Sequence, residues 1–77
     1  MTRAEYLKSI GYTAKESLDE NSFYRDFNDQ IELNIHLAFS VYRIIPKFRA
    51  IFSHEVIDLE HDALNTVEQD FNEMLKY

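Results

Sequence analysis

Seventy-seven residues with a formal net charge of −6 make one small acidic domain, residues 1–77, with no room for a second. The absence of cysteine excludes disulfide staples, thiolate metal sites and thiol nucleophiles, and a single glycine excludes phosphate-binding loops and dinucleotide fingerprints. Hydrophobic content of 45% is too high for a disordered tail, while a chain this short buries only about 60% of its unfolded surface and is marginally stable.

The chain opens on Thr2 and Glu5, a capping box that starts a helix over 3–10. Met1 and Tyr6 are placed to form its hydrophobic staple, and Gly11 suits the left-handed residue that ends it. Thr13 and Glu16 repeat the capping pattern and predict a further turn at 14–18. From Ser22 to Phe27 a strand is expected with Phe23 and Phe27 inward, followed by a hairpin turn at Asn28-Asp29.

Ile31, Leu33, Ile35, Leu37 and Phe39 alternate with smaller or polar residues, the period of a half-buried strand. Phe48, Ala50, Phe52 and Val56 alternate again and predict a third strand, with His54 near its end. Leu59, Ala63, Val67, Phe71 and Met74 or Leu75 recur at three- and four-residue spacing, so a helix of about 18 residues begins at an Asp58 cap, with Lys76 in its last turn. The resulting fold is α+β: a short N-terminal helix, a three-stranded antiparallel meander, and a C-terminal amphipathic helix packed on one sheet face. The competing arrangement is an all-α three-helix bundle, because Arg25, Asp29, Glu32, His36, Ser40, Arg43 and Lys47 also fall on one side of a helical wheel.

Charge is divided along the chain. Residues 1–52 hold seven acids and seven bases, whereas residues 53–77 hold seven acids and one base, so the entire net charge lies in the last third. Glu60, Glu68 and Glu73 belong to that acidic helix, which can offer carboxylates to a basic partner or imitate the phosphates of a nucleic acid. Arg43, Lys47 and Arg49, with Tyr42 and Phe48 among them, form a basic patch that reads either as a nucleic-acid surface or as the ion-pair partner of the acidic helix. The net charge disfavours a polyanion, so pairing is the preferred reading.

His54 and Glu55 open an incomplete H-E-x-x-H pattern in which Asp58 stands where the second histidine would be and His61 follows later. With the helix starting at Asp58, these three do not share a face, and no metal or cofactor is expected. No nucleophile elbow or paired-carboxylate spacing is present, so the chain is expected not to be an enzyme. No apolar run reaches the roughly 20 residues of a membrane helix, and Glu5 interrupts any secretory leader; a soluble cytoplasmic chain is expected. In the meander, Tyr24, Tyr42 and Ile51 point away from the helix and, with Glu60, Glu68 and Glu73, mark a surface for a protein partner or a second copy. The functional expectation is a small acidic interaction module that regulates or inhibits by binding. The alternatives are nucleic-acid binding through Arg43–Arg49 and phosphate mimicry by the acidic helix.

Overall fold

A computed structural model describes residues 1–15, 21–47 and 54–77, with side chains of the last stretch described from Ile57 onward. The elements run α1 (Arg3–Ser9), β1 (Thr13–Ala14), β2 (Ser22–Asp26), β3 (Ile31–His36), β4 (Val41–Pro46) and α2 (His54–Met74). The class is α+β, and the strands form one antiparallel sheet in the order β1-β2-β3-β4. The helical-bundle alternative is thereby excluded.

Helix α1 starts where expected. Thr2 Oγ1 accepts a hydrogen bond from the Glu5 amide at 3.2 Å, satisfying one of the orphan donors of the first turn. The staple is not made: Met1 is 69% exposed, and Tyr6 stacks instead on Tyr77 at 5.1 Å. At the other end Gly11 takes φ +102°, Tyr12 N–H donates to Leu7 O and Gly11 N–H to Lys8 O, the paired bonds of a Schellman cap. The buried Tyr12 that follows packs with Leu7 in the core, as that motif favours.

The turn expected at 14–18 is replaced at its start by a strand. Thr13 and Ala14 pair with Tyr24 and Phe23, extending the sheet to four strands; residues 16–18 lie outside the described stretch. The β2–β3 hairpin closes on Asn28 as anticipated. Its Oδ1 accepts from the amides of Gln30 at 2.7 Å and Ile31 at 2.8 Å, an Asx-type turn that replaces ladder bonds.

Beyond His36 the sequence reading needs correction. The strand stops there, a turn covers residues 37–40 with Ser40 at φ 50°, and the chain returns at once as β4. The final described strand is thus 41–46 and not 48–56; residues 48–53 lie outside the described stretch. Helix α2 starts at His54, not at Asp58, so Asp58 sits within the helix and does not cap it. It ends at Met74, with Lys76 beyond it and paired to Glu73 at 2.9 Å.

The core lies between the sheet and α2. Ile31, Leu33 and Ile35 project from β3, Phe23 from β2, Leu7 from α1, and Ala63, Val67 and Met74 from α2. Leu59 and Phe71 pack against the edge of this cluster, and of the two residues competing for the last apolar position Met74 is buried and Leu75 exposed. No described helix is long and apolar enough to cross a membrane.

Two substitutions test these assignments by urea unfolding. Leu33→Ala removes a fully buried side chain from the central strand and is expected to lower stability by about 2–5 kcal/mol. Gly11→Ala places a Cβ on a left-handed backbone and is expected to lower it by about 1–2 kcal/mol.

Candidate functional site

The strand register sorts the side chains into two faces. Across the inner face Ala14, Phe23, Ile35 and Tyr42 stand in one row, and Arg25, Leu33 and Ile44 in the next. Across the outer face run Thr13, Tyr24, Asn34 and Arg43, with Ser22, His36 and Val41 on one side and Asp26, Glu32 and Ile45 on the other. The helices cover the inner face only.

The outer face carries a hollow of about 250 Å³ lined by Lys15, Asn34, His36, Phe39, Arg43 and Ile45, among others. On the central strand of this face Glu32 takes Lys15 Nζ at 3.2 Å and Asn34 Nδ2 at 2.8 Å on the same oxygen. Lys15 also lies over the Tyr24 ring, 5.4 Å from its centre. At the hairpin tip Phe39 tilts onto His36 with ring centres 4.7 Å apart, yet remains 74% exposed. Beside it Val41 is 42% exposed. Phe39 and Val41 thus leave neighbouring apolar groups in water at the rim of the hollow.

The expected partner residues separate. Tyr24 is on the outer face, as anticipated, half-buried beneath Lys15. Tyr42 is not: it lies on the helix side, its hydroxyl donates to Glu68 Oε1 at 2.9 Å and its ring meets Phe71 edge-on at 5.2 Å. That bond to the Glu68 carboxylate holds the Tyr42 hydroxyl above the ordinary phenol range. Tyr42 and Glu68, both assigned to a partner surface, therefore engage each other. Glu73 is taken up by Lys76, Glu60 is exposed, and Ile51 lies outside the described residues.

The basic patch also divides. Lys47 pairs with Asp26 at 2.9 Å, Arg43 makes no ion pair among the described residues, and Arg49 lies outside them. Among the described residues the cation that reaches the acidic helix from the sheet is Arg25, which sequence reasoning did not assign to a site. Its Nη2 contacts Asp70 Oδ2 at 2.9 Å, its Nη1 donates to Ile10 O at 2.9 Å, and its guanidinium lies over the Tyr12 ring at 5.1 Å. Tyr12 adds a hydroxyl donated to the same Asp70 oxygen at 3.1 Å. The inward position of Arg25 on β2 was the one available signal, since a cation on a core face requires a partner.

Helix α2 puts His54, Asp58 and His61 at positions four and three residues apart within one helix, contrary to the expected strand end. Among the described residues no group of three histidine, aspartate or glutamate side chains is placed to hold a metal ion. Compared with models of known families, with curated proteins and with solved structures, the chain matches none.

Burial lifts the Asp70 carboxyl above its usual range, against the lowering pull of Arg25 and the Tyr12 hydroxyl. The native state therefore takes up this proton before the unfolded chain does, and Asp70's own contribution to stability declines as pH rises through that window. Tyr12→Phe removes one of the two restraints, so carboxyl carbon NMR should show Asp70 titrating higher still, while unfolding shows a loss of about 0.5–1.5 kcal/mol.

Proposed function

We propose that this chain is a small non-enzymatic module, acting in the cytoplasm, that binds another protein through the outer face of its sheet. The observation that supports it is the asymmetry of the sheet: one face is closed by helices, and the other leaves Phe39 and Val41 in water beside a hollow. An aromatic ring at a hairpin tip that contributes nothing to the core loses nothing by being covered, and covering it with Val41 releases ordered water. Regulation or inhibition by occlusion needs no more than such a surface.

Nucleic-acid binding is the weaker reading. Of its three proposed cations, Lys47 is already neutralised by Asp26, which leaves a field too sparse for a phosphate backbone. Phosphate mimicry keeps Asp58, Glu60 and Asp62, exposed along the first turns of α2, but Glu68 and Glu73 are engaged within the chain.

The reading is tested with the double variant Phe39→Ser, Val41→Thr, whose unfolding midpoint should match the wild type because both side chains are exposed. Wild-type protein is expected either to retain a stoichiometric partner in a pull-down or to form a dimer by light scattering. The double variant should lose that association at least tenfold. A wild-type monomer that retains nothing counts against the reading.

A further inference from the structure

Next to the hollow the sheet ends on an edge strand. Strand β4 ends the sheet order, and among the described residues nothing pairs with its far side. Lys47 N–H donates to Gln30 O, which fixes the phase of the ladder: Val41, Arg43 and Ile45 turn their main-chain groups toward β3. Tyr42 and Ile44 therefore turn theirs outward. Pro46 falls in the same outward phase, so its missing N–H breaks no ladder bond. The outer face along this edge reads Val41, Arg43, Ile45: apolar, cationic, apolar.

On the reading of the outer face given above, we propose that β4 accepts an added strand from a partner protein. The segment would be about five residues long, with a carboxylate at its centre and apolar side chains two residues to either side. Main-chain bonds go to the amides and carbonyls of Tyr42 and Ile44. The central carboxylate lies opposite Arg43, a cation without an ion pair among the described residues, and the flanking side chains cover Val41 and Ile45. A second copy of β4 fits worse. Pairing over 41–45 centres on Arg43 and sets two guanidiniums opposite each other; of the two adjacent same-face registers, one sets Pro46, with no N–H, against the outward groups of Tyr42, and the other sets Ser40, in the turn at φ 50°, against those of Ile44.

The experiment uses the nitrogen-15-labelled chain and two blocked peptides, valine-threonine-glutamate-threonine-valine and its lysine-centred counterpart. In the free protein the amides of Tyr42 and Ile44 should exchange with solvent at least tenfold faster than those of Arg43 and Ile45. The glutamate peptide at saturation should slow Tyr42 and Ile44 at least tenfold, the lysine peptide should not, and Arg43→Glu should reverse the preference. Slow exchange of Tyr42 and Ile44 in the free protein at all dilutions overturns the proposal, as does equal or absent binding of the two peptides. Protection that appears with rising protein concentration alone assigns the edge to a second copy and also overturns it. If Phe39→Ser, Val41→Thr abolishes partner binding while Arg43→Glu and the edge amides are indifferent, the interaction face stands and strand addition falls.

Discussion

The contact on which this small fold turns is the ion pair between Arg25 and Asp70. Nine buried apolar residues form the described core, a modest set for joining two helices and a four-stranded sheet. Arg25 reaches from β2 to the carbonyl that ends α1 and to a carboxylate on α2, so three elements distant in sequence are fixed at one point. Its side chain is 23% exposed and that of Asp70 14%, so water screens the pair less than it would a surface bridge. The Tyr12 ring beneath the guanidinium and the hydroxyl on the carboxylate satisfy more of the donors and acceptors that burial would otherwise strand. The same network explains why the Schellman turn at Gly11 matters: it delivers Tyr12 and the Ile10 carbonyl to the place where Arg25 needs them.

With the helices gathered on one side by this clamp, the opposite face of the sheet is defined by default. Its polar residues are largely paired: Lys15 with Glu32, Asn34 with Glu32, Lys47 with Asp26. Among the described residues they leave over an apolar rim at the β3–β4 hairpin and Arg43, a cation without an ion pair. On the proposed function, that rim and that cation are what a partner would recognise.

Much of this was legible in the residues, and the failures share a cause. The cap at Thr2, the left-handed Gly11, the Asn28 turn and the apolar stripe of α2 are local signals with local physics, and all appear in place. The β3–β4 turn has no such signal: Ser40 adopts a positive φ that glycine or asparagine would have announced. Partners in β3 and β4 sum to 77, an odd number, so inward odd residues on β3 face inward even residues on β4. Continuing the alternation of Ile31 to Phe39 straight through the turn puts Tyr42 on the wrong face. The start of α2 was hidden for another reason, since Val56 and Ile57 favour strands by type, yet the segment joins a helix whose later turns are packed on the sheet.

The Tyr12 hydroxyl has a consequence for spectroscopy. Burial and the neighbouring carboxylate hold its proton well above the ordinary phenol value of about 10. The native state keeps a proton that the unfolded chain gives up, so alkali draws the equilibrium toward unfolding as pH climbs past that value. In a protein with five tyrosines and no tryptophan, this ring reports on the clamp in ultraviolet absorbance: its phenolate band is delayed until the joint between α1, β2 and α2 has come apart.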